Sequence, residues 1–264
     1  MSKLLEKLEQ ISEGSGQPMG FGAAVTRTKI PQILTIASAP AGNAQLISMA
    51  TKEKADALLL AVADLEKESK TLAKMNRTKA EIPWGVSLDR VTKENIRQLV
   101  ELGCDFVVFD PIKTPAEVLI EEKIGKVLRI DISLPENLAK AINRLQVDAV
   151  LLNPAMEEET AFTVHHLMVL ERLAGSTGKH VLTTMSSHGL SPGDIEILWG
   201  LGVRGVVVDM TVEQPEQRLS QIKEAIQQLP STRKKSQEKF RATLPASVTP
   251  SEKAAPEEDG DEEP

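Results

Sequence analysis

The 264-residue sequence contains no tyrosine, two tryptophans and five phenylalanines, so it offers few aromatic platforms for stacking sugars or bases. Its single cysteine, Cys104, excludes an intrachain disulfide and suits a reducing compartment. Cys104 stands at the start of an apolar run and reads as packing. Histidine is scarce as well. There are four, with no HxH pair and no His-rich set, which disfavours a zinc hydrolase. Positive charge is in deficit: 31 Lys and Arg against 38 Asp and Glu leave a net charge of −7. A nucleic-acid partner calls for a basic footprint, so none is expected. No apolar run approaches the roughly 20 residues of a membrane span, and residues 1–17 are charged and amphipathic rather than a secretory signal. The expectation is a cytoplasmic protein with no membrane partner.

What the sequence does have is one unit, repeated. Residues 195–210 (IEILWGLGVRGVVVDM) read as a helix closing on Leu201-Gly202, then a valine run buried on both sides and ending on Asp209. Similar sentences run from Ala55-Asp56 to Asp64, from Cys104-Asp105 to Asp110 and from Val147-Asp148 to Asn153. Four more apolar runs complete a set of eight: residues 33–39 (ILTIASA), 84–89 (WGVSLD), 127–133 (VLRIDIS) and 181–187 (VLTTMSS). Short apolar runs alternating with amphipathic helix-length segments predict βα units around a parallel sheet buried on both faces. Eight such units predict a (β/α)8 TIM barrel over residues 31–230.

Helix-boundary signals fit that count. Thr114-Pro115 and Ser191-Pro192 offer a cap followed by proline, and Ser133 to Glu136 and Thr211 to Gln214 carry capping-box spacing. Glu157, Glu158 and Glu159 suit a helix N-terminus, and Gly103, Gly125, Gly178 and Gly202 stand where helices are expected to stop.

Residues 1–30 precede the barrel. Leu4, Leu5, Leu8 and Ile11 share one helical face that suits a plug at the barrel's foot, with a dimer contact as the other use. Residues 14–22 (GSGQPMGFG) lack both GxGxxG and GK[ST], so no phosphate cradle is predicted there. Residues 231–264 turn from basic (Arg233, Lys234, Lys235, Lys239, Arg241) to acidic (EEDGDEE) with too little apolar content to fold. Disorder is expected, with loose tethering of a partner as one possible use.

In this fold the chemistry sits where the strands end. Those ends read Ser38, Asp64, Asp89, Asp110, Asp131 with Ser133, Asn153, Ser186-Ser187-His188 and Asp209. Alternation along a strand turns Arg129 the same way as Asp131, and Ser87 the same way as Asp89. So many converging carboxylates need neutralising, and Arg129 or a hard cation such as Mg2+ would do it. The competing reading is that Asp and Asn end strands because they make turns and cap helices. His188 is the only histidine at that end and is a candidate general acid or base. No lysine ends a strand, which disfavours a Schiff-base aldolase.

Ser186-Ser187-His188-Gly189 followed by SPGDIEILWGLGVRGVVVD resembles the closing quarter of the aldolase-type, phosphate-binding barrels. These include the indole-glycerol-phosphate synthase, thiamine-phosphate synthase and FMN-dependent families. The resemblance covers about 25 residues. It implies anion binding by backbone N–H groups after strands seven and eight, with Ser187, His188 and Gly189 as the loop residues that carry over. Asp209 departs from it, standing where those families have glycine.

Read together, these features predict an enzyme that takes a small anionic metabolite, phosphorylated or carboxylate, through Mg2+-assisted lyase or isomerase chemistry. Asp89, Asp110 and Asp131 are the candidate metal ligands. Arg129 is the candidate anion contact, with Asp131 and His188 as proton-moving groups, and Ser187 and Gly189 as cofactor- or phosphate-binding positions. A non-catalytic binding or scaffolding barrel and an FMN-dependent oxidoreductase are the alternatives, and a homo-oligomer is compatible with either.

Overall fold

The computed structural model describes residues 2–13, 31–77, 82–131, 133–153, 163–184 and 190–230. The chain divides into two units, residues 1–231 and 232–264, and every described residue belongs to the first. The charged tail, the glycine-rich lead-in and the Glu157–Glu159 run therefore lie outside the described residues.

Eight parallel strands follow one another round a closed barrel. They are β1 (Leu34–Pro40), β2 (Ala57–Ala61), β3 (Trp84–Leu88), β4 (Phe106–Phe109), β5 (Gly125–Asp131), β6 (Ala149–Asn153), β7 (His180–Thr184) and β8 (Val203–Asp209). β8 closes the ring on β1, with Leu34 opposite Gly205 and Ser38 opposite Asp209. Helix α1 (Lys3–Glu13) precedes the barrel. Around it run α2 (Ala44–Lys52), α3 (Leu65–Arg77), α4 (Lys93–Glu101), α5 (Glu136–Ile142), α6 (Val164–Thr177), α7 (Pro192–Leu201) and α8 (Pro215–Gln228).

Strand alternation sorts the aliphatic residues into two cores. Outward residues such as Leu58, Leu60, Val86, Val107, Leu128, Val150 and Val206 pack under the helices. Inward residues, among them Ile36, Leu59, Phe106, Val127, Leu151, Leu182 and Val207, fill the barrel. Two inward positions are glycine for lack of room. A Cβ on Gly85 would lie 2.5 Å from the Phe106 ring, and one on Gly205 would lie 2.6 Å from Leu182.

The inner core also takes in Leu4, Leu5, Leu8 and Ile11 of α1. The apolar face of α1 is spent as a plug at the end of the barrel where the strands begin. Asp105, just before β4, holds the helix there: its carboxylate accepts from Ser2 Oγ (2.7 Å), Lys3 N–H (2.7 Å) and Leu4 N–H (2.9 Å). It thus satisfies donors that the first turn of a helix leaves free and places negative charge at the positive end of the dipole.

The acid that opens the repeated sentence has the same work elsewhere. Asp56 accepts from Thr35 N–H and Oγ1, both at 2.8 Å, and Asp148 accepts from Lys126 N–H at 2.7 Å. Each stitches the start of an even-numbered strand to its predecessor. Cys104 is buried and donates its thiol to the Phe106 carbonyl, and burial pushes its pKa far up, so it packs rather than reacts.

Helix boundaries follow the sequence signals in part. Ser191 and Asp194 form the expected capping box of α7, and Gly103, Gly178 and Gly202 adopt positive φ where helices end. Gly125 instead opens β5, where a Cβ would crowd Ser2 and Phe106. Thr114-Pro115 does not start an α-helix: Ala116–Ile120 is a 3-10 turn, and the buried Lys126 ammonium binds the carbonyls of Leu119 (2.7 Å) and Glu121 (2.9 Å) at its end. Ser133 is engaged with Asp131, so α5 starts after Pro135 without a side-chain cap. Thr211 is likewise engaged with Asp209, and Gln214, at φ 53°, precedes α8.

Replacing Asp105 with Ala should cost about 2 kcal/mol in urea unfolding, because three donors lose their acceptor. Leu8→Ala should cost about 2–5 kcal/mol through the cavity it opens. Unchanged midpoints for both would show that α1 is not part of the cooperative unit.

Candidate functional site at the barrel mouth

At the end where the strands finish, four side chains from three neighbouring elements converge. β3 contributes Ser87 and, just past its end, Asp89. β5 contributes Arg129, and the segment after β4 contributes Lys113. Arg129 reaches across β4: its Nη2 donates to Ser87 Oγ, and Nη1 lies 3.4 Å from Asp89 Oδ1. Lys113 Nζ lies 2.9 Å from Asp89 Oδ2. One carboxylate is thus gripped by two cations, one on each oxygen. The inward parity expected for Arg129 and Ser87 is what brings them together.

Exposure grades the members. The Arg129 side chain is 28% exposed, Lys113 52% and Asp89 70%. The guanidinium is therefore the sheltered charge of the three, and the other two face water. Electrostatics agree: the Lys113 ammonium first, then Arg129, holds the Asp89 carboxyl below its ordinary value of 3.8. The same carboxylate holds the Lys113 ammonium above its ordinary 10.5, with Asp110 adding to the effect.

The other acids at this end make turns. Asp110 Oδ1 accepts from Ile112 N–H at 2.7 Å, and Asp131 Oδ1 from Ser133 N–H at 2.8 Å. Asp209 Oδ1 accepts from Thr211 N–H and Oγ1, both at 2.8 Å, and Asp64 Oδ1 from Glu66 and Lys67 N–H. Asn153 Oδ1 accepts from Thr184 Oγ1 at 3.0 Å. Among the described residues no three Asp, Glu, His or Cys side chains form a group suited to a metal ion. Each of Asp89, Asp110 and Asp131 directs an oxygen to a turn or to a cation.

Ser187, His188 and Gly189 lie outside the described residues. Lys113 is the functional candidate that strand periodicity passes over. It sits four residues beyond the last residue of β4, and only its length brings the ammonium back to the mouth. His165 and His166 belong to α6, where His166 Nδ1 accepts from Thr163 N–H at 3.0 Å as part of the helix cap. His180 opens β7 at the other end, 3.2 Å from Ser12 of α1. A cleft of about 420 Å³ lies there, bordered by Glu9, Ser12, Asp148 and His180.

No family model and no curated protein matches this sequence. Solved structures do. A tryptophan synthase alpha-subunit mutant from Pyrococcus furiosus matches with a TM-score of 0.57 at 14% identity, over 72% of this chain and 96% of that one. Mycobacterium tuberculosis tryptophan synthase matches with a TM-score of 0.59 at 11% identity, over 74% and 92%. What the chain shares with them is the (β/α)8 fold. The (β/α)8 barrel expected from the repeated unit is the one observed. At such identities the likeness reaches no further than architecture. No helix among the described residues is long and apolar enough to cross a membrane.

The grip on Asp89 sets a titration. Its folded pKa is depressed, so its contribution to stability is present above the unfolded value and is lost as pH falls through the folded one. In a carbon-detected NMR titration the Asp89 carboxyl should show a midpoint below 3.8. Lys113→Met should move that midpoint back up, and a midpoint unaffected by the substitution would remove the ammonium as its main cause.

Proposed function

We propose that the barrel is an enzyme that binds a small anionic metabolite at the mouth, with Arg129 as the anion contact. The observation that carries this reading is the sheltered guanidinium, fixed on Ser87 and facing the strand ends where (β/α)8 enzymes do their chemistry. Lyase or isomerase chemistry through a developing anion is the class that suits a fixed cation at this place. Arg129 would orient the substrate's carboxylate or phosphate, and its charge would stabilise negative charge developing next to it. Asp131, two residues along the same face of β5, would take a proton from the bound metabolite, and His188 would return one. Ser187 and Gly189 would offer backbone donors to a phosphate. Asp89, Asp110 and Asp131 would supply the oxygen ligands that suit Mg2+ if the reaction uses it.

Thermal shift of the full chain against phosphorylated and carboxylate metabolites, with and without Mg2+, tests the reading, since binding to the native state alone raises the midpoint. Arg129→Met should weaken any hit at least tenfold, in line with roughly 2–5 kcal/mol for losing one partner of a desolvated charge pair. Asp131→Ala should abolish turnover while leaving the fold intact. A hit indifferent to both substitutions would place binding elsewhere.

A second reading is favoured by a specific observation. The turn bonds made by Asp64, Asp110, Asp131 and Asp209 account for those acids without catalysis, as expected of a non-catalytic binding barrel. In that case no metabolite shifts the midpoint, and deleting residues 231–264 removes a protein partner. The FMN-dependent alternative has its own readout, since such a protein would purify yellow.

A further inference from the structure

The grip on Asp89 has the form of a bound ligand: one carboxylate, two oxygens, a different cation on each. We propose that Asp89 is an internal stand-in for the substrate's carboxylate, occupying Arg129 and Lys113 until a carboxylate metabolite displaces it. The inference rests on the anion-binding reading above and names its substrate class and its competitor.

Three features support displacement over a permanent ion pair. Asp89 lies just beyond β3 and is 70% exposed, so its side chain can turn to water with little desolvation to reverse. Arg129 is held independently by Ser87, so the guanidinium keeps its position when Asp89 leaves. The Arg129–Asp89 contact is long at 3.4 Å, and exposed pairs of this kind hold weakly. Ser87 Oγ accepts from Arg129, which leaves its own hydroxyl hydrogen free to serve an incoming oxygen. The neighbouring acids set the selectivity. Asp110 lies close enough to Lys113 to strengthen its charge, and Asp131 borders the same face. A singly charged carboxylate meets less repulsion from them than a phosphate dianion does. Displacement breaks and forms only ion pairs, with no covalent step.

Deleting the stand-in should make the site accept one from solution. Asp89→Ala is titrated with sodium acetate and, separately, with phosphate, at constant ionic strength made up with chloride, and read by thermal midpoint and by shifts of the Arg129 side-chain NMR signals. Acetate should bind the variant at least tenfold more tightly than the parent chain and more tightly than phosphate does, and adding Lys113→Met should abolish the gain. Asp89→Asn, which keeps the side-chain volume, should show the same gain and serves if the alanine variant is poorly folded. Equal acetate affinity in parent and variants, with both lost on Arg129→Met, overturns the stand-in while leaving the anion site intact. Phosphate preferred over acetate overturns the carboxylate assignment. No response from any variant overturns both the stand-in and the anion site.

Discussion

Closing a parallel sheet on itself removes every edge, and in return the space inside must be filled by side chains alone. That constraint shapes much of this chain. The inward positions must interlock, so Phe106 fills the space left by Gly85, and Leu182 the space left by Gly205. At the foot of the barrel the strands supply too little, and α1 brings Leu4, Leu5, Leu8 and Ile11 to complete the filling. At the mouth the filling gives way to Ser87, Arg129 and the strand-ending acids. The ends differ because one is sealed by hydrocarbon and the other is left polar.

The acids of the repeated unit divide along the same line. Those before a strand (Asp56, Asp105, Asp148) accept backbone or hydroxyl donors and fasten the foot of the barrel. Those after a strand (Asp64, Asp110, Asp131, Asp209) shape the turns leading to the next segment. Asp89 is the strand-ending acid that, among the described residues, is held by a side-chain cation from each of two other elements. Its distinction is one of partners, since its position in the unit is ordinary.

The barrel was legible because its signal is repeated eight times and each copy constrains the others. Alternation places Arg129, Ser87 and Asp89 on the inner face, which is three of the four members of the candidate site. No α-helix follows Thr114-Pro115: local capping chemistry carries no knowledge of how much chain must fit between β4 and β5. A 3-10 turn sealed by Lys126 takes up that length. Ser133 and Thr211 failed as caps for a related reason: the preceding aspartates recruit their backbone N–H groups into turns. Lys113 was invisible to periodicity because it lies outside any strand, and its role follows from the reach of a long side chain.

The anchoring of α1 has a consequence for how the molecule is made. The helix is synthesised before the barrel strands, yet its acceptor, Asp105, follows 101 to 103 residues later, and its contact at Ser12 is with His180, 168 residues on. Through most of synthesis its four apolar side chains have nowhere to go. Contacts so distant along the chain are slow to form, and exposed apolar surface in the interval invites association. The plug that finishes the barrel is thus made well before the place it fills exists.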